Sequence, residues 1–215
     1  MAYRRTERVI ARLAARHDAI VAAARALAGE SGMEAVQIVP VAERAGIAAG
    51  TVYRYFPSKD DLISALIGAV ADQEVAAVRA AAAAAPGPLS ALAAAIAGFA
   101  SHMLRERRLA WAILAEVPEG DAGRLAFRRS LAAQFETLIG AAIAAGHLPD
   151  QDSAFAAAAV IGAVLEGLIG PLAPDPAGAD AQKNATQALA RFALRALGVV
   201  DAHARGLVIS GISHQ

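Results

Sequence analysis

Apolar positions along this chain recur at intervals of three and four residues, and the breaks between those runs divide it into helices. The pattern predicts a first helix over about 6–29, two short helices bent around Gly46, and a longer helix over about 58–84 that stops at Pro86, Gly87 and Pro88. Beyond that stop it predicts helices over about 89–105, 108–117, 121–145, 152–172 and 179–197, followed by a loosely ordered tail after Gly198. β-Branched and aromatic runs of strand type are scarce and alanine is abundant, so the expected fold is all-α with closely packed helices.

Residues 37–62 carry the densest information. Val41, Ala42 and Ala45 share a face of the first short helix, and Gly46 can take the left-handed conformation that closes it. In the second short helix Val52 and Phe56 stand one turn apart and face inward, which leaves Thr51, Tyr53, Arg54 and Tyr55 around the remainder. Pro57 ends that helix and Ser58 is placed to cap the next. Lys59 then falls in a first turn, where a cation opposes the helix dipole and a nearby phosphate would account for it.

The run Ala42-Glu43-Arg44-Ala45-Gly46-Ile47 through Gly50-Thr51-Val52-Tyr53-Arg54-Tyr55-Phe56-Pro57-Ser58-Lys59-Asp60-Asp61-Leu62 resembles the DNA-binding signature of the tetracycline-repressor (TetR) family. The resemblance covers roughly 12–65, including the upstream helix of 20–27 and the Gly32-Met33 turn; the rest of the chain is similar only in helical character and length. It implies a helix-turn-helix DNA-binding domain of three helices over 1–60, joined by a linker helix to a larger helical ligand-binding and dimerisation domain over 61–215. It also implies a homodimeric transcriptional regulator, a repressor that a small-molecule ligand releases from double-stranded DNA. On that reading Tyr53 and Arg54 contact base edges, with Arg54 able to fork onto guanine; Gly50 permits close backbone approach, and Thr51, Tyr55 and Lys59 hold phosphates.

Departures from the family pattern are informative too. Val36, Gln37, Val39, Ala48 and Ala49 occupy positions where the family has hydroxyl, basic or polar residues, which removes several phosphate contacts. Gln37 is expected to cap its helix weakly, whereas Ala48 cannot accept from the following amides, at a cost of about 1 kcal/mol. DNA affinity then leans on the N-terminal arm.

Charge bears on that arm. The whole chain is formally neutral, yet Arg4, Arg5, Arg8, Arg12 and Arg16 are offset locally only by Glu7 and Asp18. A positive end on a neutral molecule suits a phosphate-tracking module, because each neutralised phosphate releases counterions. Arg4, Arg5 and Arg8 therefore join the DNA-binding candidates. Cysteine is absent, which excludes a disulfide framework and thiolate metal sites and fits a reducing compartment; the expectation of a cytoplasmic setting rests on the implied regulatory function.

The segment 152–172 is apolar nearly all round, so a second subunit is its simplest cover, joined by 179–197, where Ala188, Phe192 and Arg195 lie near one stripe. Phe99, His102, Met103, Trp111 and Phe127, with Phe135, supply the large adaptable side chains that a small-molecule cavity needs, or plain core. Glu166, amid Val164, Leu165, Leu168 and Ile169, needs a partner, a solvated edge or a cationic ligand.

Catalysis finds no support in the motifs. There is no Gly-rich phosphate loop, no Gly-x-Ser-x-Gly elbow and no histidine pair at metal-ligand spacing, so neither enzyme nor cofactor nor metal is expected. An all-α ligand-binding or hydrolytic protein without DNA binding is the alternative, separated by its indifference to duplex DNA. The stretch 80–104 is interrupted by Pro86, Gly87 and Pro88 and 154–165 is too short, so no membrane span is expected.

Overall fold

Alanine-rich segments form helices throughout the computed structural model, which describes residues 2–212 and the side chains of residues 9–208. Among the described residues there are ten α-helices, a 3-10 turn at Met33–Ala35, a π-helical turn at Ala112–Glu116 and no strand. The helices are α1 (Ala2–Ser31), α2 (Ile38–Arg44), α3 (Ala49–Tyr55), α4 (Lys59–Ala83), α5 (Pro88–Arg105), α6 (Arg107–Trp111), α7 (Ala122–Ala144), α8 (Ser153–Leu168), α9 (Ala179–Ala196) and α10 (Asp201–Ile212). Contacts group the chain into two units: residues 1–70 with 108–124, and residues 71–107 with 125–215. The division falls inside α4, and the first unit takes in a segment well beyond the contiguous stretch read from the sequence.

In the first unit α1 packs on α2 and on the 3-10 turn, and α2 packs on α3. Ile20, Val36, Val41, Val52, Leu62 and Leu66, spread over these elements and α4, are each 0% exposed. Gly32, which joins α1 to the 3-10 turn, has a φ of 89°, and a Cβ there would stand 2.7 Å from Glu116 Oε2. Only glycine meets both demands. Glu116 accepts a hydrogen bond from the Met33 amide (2.6 Å) and another from Arg108 Nη1 (2.6 Å), so the segment after α6 is bonded directly to the turn after α1.

In the second unit α5 packs on α8, α9 and α10, and α8 and α10 both pack on α9. Leu92, Ile96, Phe135, Ile139 and Leu194 are 0% exposed, and the Phe99 ring meets that of Phe135 with centroids 5.8 Å apart. Local signals set the helix starts. Pro88 opens α5, where Ser90 Oγ accepts the Gly87 amide (3.1 Å), and Asp152 caps α8 by accepting from the amides of Ala154 (2.9 Å) and Phe155 (3.0 Å).

Three expectations need correction. The tail after Gly198 is not loose: Ala204 and Val208, one turn apart on α10, are 0% and 5% exposed, and Arg205 pairs with Asp201 across a turn at 2.5 Å. The helix expected over 108–117 changes from α to π winding after Trp111. The helix expected to reach residue 172 ends at Leu168, because the Gly170 amide turns back to the Leu165 carbonyl (2.8 Å) and Pro171 has no amide to continue the ladder. No helix among the described residues is long and apolar enough to cross a membrane.

Candidate nucleic-acid interface

Backbone closure at the end of α2 sets the geometry of α3. Gly46 takes a φ of 66°, its amide reaches the Glu43 carbonyl (3.1 Å), and the Ile47 amide reaches Ala42 (3.0 Å), satisfying carbonyls that the helix end would leave open. Arg44 forks onto Glu30 at the end of α1, with Nη1 2.8 Å from Oε1 and Nη2 2.6 Å from Oε2. That fork holds the Glu30 carboxyl below its ordinary range and raises the Arg44 guanidinium.

α3 is anchored on one side and open on the other. Val52 is 0% exposed and Phe56, just beyond the helix, is 4% exposed with its ring 5.0 Å from that of His17 on α1. Tyr53 is 54% exposed, Gly50 and Arg54 are exposed, and Thr51 and Tyr55 are half-buried. Arg12 and Arg16 of α1 join Thr51, Arg54 and Tyr55 around a groove of about 320 Å³. Sequence reasoning counted Arg12 and Arg16 as part of a basic arm and missed that they sit beside α3. Their one-turn spacing, which puts both on one face of α1, was the available signal. Arg4, Arg5 and Arg8 belong to α1 by backbone, and their side chains lie outside those described.

The starts of α2, α3 and α4 differ in how they are capped. Gln37 is not the weak cap expected: its Nε2 donates to the Glu34 carbonyl (3.0 Å), and no side chain caps α2. Ala48 leaves α3 without a side-chain cap. Ser58 and Asp61, by contrast, close the start of α4 reciprocally: Ser58 Oγ accepts the Asp61 amide (3.1 Å), and the Asp61 carboxylate accepts the Ser58 amide (3.0 Å) and hydroxyl (2.7 Å). Lys59, half-buried, sits in that turn beside Asp60 and Asp61.

The candidate ligand residues are divided between the units. Phe99, Met103 and Phe127 are 1%, 4% and 6% exposed core residues of the second unit, whereas Trp111, half-buried, belongs to the first. Glu166 is exposed on α8 and its carboxylate lies over the Gly170 backbone, which makes it a solvated edge. His102 meets a residue that sequence reasoning missed, Glu74 of α4, through an Nδ1 to Oε1 contact. The signal was there: Glu74 stands one turn from Val70 and one turn from Val78 in an otherwise apolar stripe.

Residues 20–66 match the family model described as bacterial regulatory proteins, tetR family. Over 53 residues the chain is 51% identical to the HTH-type transcriptional repressor KstR of Mycolicibacterium smegmatis, covering 25% of this chain and 26% of that protein. The match thus spans about a quarter of the length of such curated relatives. The whole fold superposes on RolR in complex with resorcinol at TM-score 0.65 and 22% identity, covering 97% of this chain and 96% of that one. A TetR transcriptional regulator of Streptomyces coelicolor superposes at TM-score 0.57 and 28% identity, over 84% and 97%. With an anchored and outward-facing α3 and the matching signature, residues 20–66 form a regulatory domain of the tetR family, and the chain as a whole shares its helical architecture with a TetR transcriptional regulator.

Proposed function

We propose that this chain acts in the cytoplasm as a homodimeric transcriptional repressor that binds double-stranded DNA through α3 and leaves its operator when a small molecule binds the second unit. The observation that carries the DNA-binding half is the division of α3: Val52 is fully buried while Tyr53 and Arg54 project into solvent. A helix so held can enter a major groove, where Arg54 forks onto guanine and Tyr53 reaches a neighbouring edge. Gly50 allows the backbone close, and Thr51, Tyr55 and Lys59, with Arg4, Arg5, Arg8, Arg12 and Arg16 from α1, hold phosphates.

Dimerisation is supported by apolar side chains left uncovered on α8 and α9, Phe155 at 73% and Phe192 at 61% exposure, the latter beside Ala188 and Arg195 on one face. A two-fold there would set two α3 helices about 34 Å apart, one turn of duplex. Ligand control is supported by RolR, whose structure holds resorcinol in the same fold, and repression by the name of KstR. The test is selection of random duplexes by the purified protein, with sedimentation of the free and bound states. An inverted repeat bound by two chains with a steep salt dependence is the expected result; indifference to duplex DNA at low ionic strength would overturn the reading.

A further inference from the structure

Glu74 is the most enclosed charged residue among those described, 1% exposed, one turn along α4 from Val70 (4%) and Val78 (1%). Its Oε1 lies against Nδ1 of His102 on α5, but Oε2 and that Nδ1 are both buried without a hydrogen-bond partner. A buried carboxylate oxygen without a donor lowers stability. The surroundings are specific. Phe99 lies one turn before His102 on α5 and packs against Phe135 of α7, while Arg79 of α4 donates to Gln134 of α7 at 2.7 Å. Helices α4, α5 and α7 therefore adjoin around an aromatic layer with one polar pair at its edge, and His102, with a side chain 15% exposed, is the member nearer solvent.

We propose that Glu74 and His102 form the polar end of the effector site and that the effector presents a hydroxyl group on an aromatic or alicyclic ring. The inference rests on the ligand-controlled reading above and adds the chemistry of the ligand. A hydroxyl can donate to the orphan carboxylate oxygen without adding charge. An anion is repelled by the carboxylate. The ring of the ligand replaces contacts within the Phe99 and Phe135 layer.

The test uses the full chain, with binding followed by calorimetry and thermal shift for phenol, 2-naphthol and cyclohexanol against benzene, naphthalene and cyclohexane. The hydroxylated compounds are expected to bind at least about tenfold more tightly than their hydroxyl-free counterparts. Glu74→Leu leaves the buried His102 Nδ1 facing only apolar groups, so it should melt lower than the parent chain, and it should lose the hydroxyl preference. Glu74→Gln, which keeps a donor and an acceptor, should retain part of it. Equal binding of hydroxylated and hydroxyl-free rings, no binding of any hydroxylated ring, or a preference that survives Glu74→Leu would each overturn the proposal. Operator binding measured in parallel separates the two readings. A hydroxylated ring that binds through Glu74 without changing DNA affinity supports the site and refutes ligand release; release by another compound while these rings are ignored does the reverse.

Discussion

Arg54 and Glu74 show how differently the two units use charge. Arg54 stands in solvent at the outer face of α3, with Arg12 and Arg16 beside it, whereas Glu74 is shut into an apolar stripe with a single imidazole for company. Exposed cations act at a distance: they cost little to keep, are screened by salt, and draw in a polyanion before contact. An enclosed carboxylate acts only at contact and penalises every occupant that fails to satisfy it. The first arrangement suits a long, repetitive partner and the second suits a small one met in a single pose.

Disabling the anchored side of α3 should give the largest effect. Phe56→Ala removes a 4% exposed ring that packs on His17, and it is expected to cost about 3–5 kcal/mol and abolish DNA binding with it. A denaturation midpoint equal to that of the parent chain would show that the stability of the first unit lies elsewhere. Next in size is the exposed side. Arg54→Ala should cost about 1–3 kcal/mol on the cognate duplex and relax preference at one position, while Lys59→Ala should weaken all sequences alike and flatten the salt slope by about one. Binding curves on cognate and scrambled duplexes distinguish the two roles; uniform loss from both variants would assign Arg54 to phosphate.

A gain is expected from Ala48→Ser, since it supplies the cap that α3 lacks, and thermal melting should register about 1 kcal/mol of stabilisation. The smallest effect is the response to acid. Glu30 is held below the ordinary carboxylate value of 4.5 by Arg44; for Glu116 burial pushes upward, but the Met33 amide and Arg108 outweigh it and the net direction is also down. A carboxyl lowered by folding adds stability that is complete above its unfolded value and fades as the pH falls through its folded one. Melting of the first unit should therefore weaken below about pH 4.5, and Glu116→Gln should flatten that dependence. An identical acid slope in the variant would remove Glu116 from the account.

The helix-turn-helix of the first unit could be read from the sequence because its determinants are local, whereas the share of residues 108–124 in that unit could not. Gly46, the Val52 and Phe56 spacing, and Ser58 before Asp61 each act within a few residues, so the turn, the inward face and the next helix start were all visible in one window. The second unit depends on meetings between distant helices. Glu74 and His102 are far apart in the chain, and periodicity alone counts His102 as one candidate among several aromatic neighbours. The face of α10 was hidden for a related reason: Gly206 and the charged residues around Ala204 lower its helical signal, and only packing on α5 and α9 makes the Ala204 and Val208 stripe decisive.

The hydrogen bond from the Met33 amide to Glu116 has a practical corollary for anyone cutting or grafting this molecule. A fragment ending near residue 70 would carry the whole recognition signature yet lack the acceptor for that amide and the Arg108 cover over Gly32. Transplanted into a chimaera, the reading head should travel as two pieces of chain, and a donor supplying only the leading piece should yield a looser head with a lower melting point.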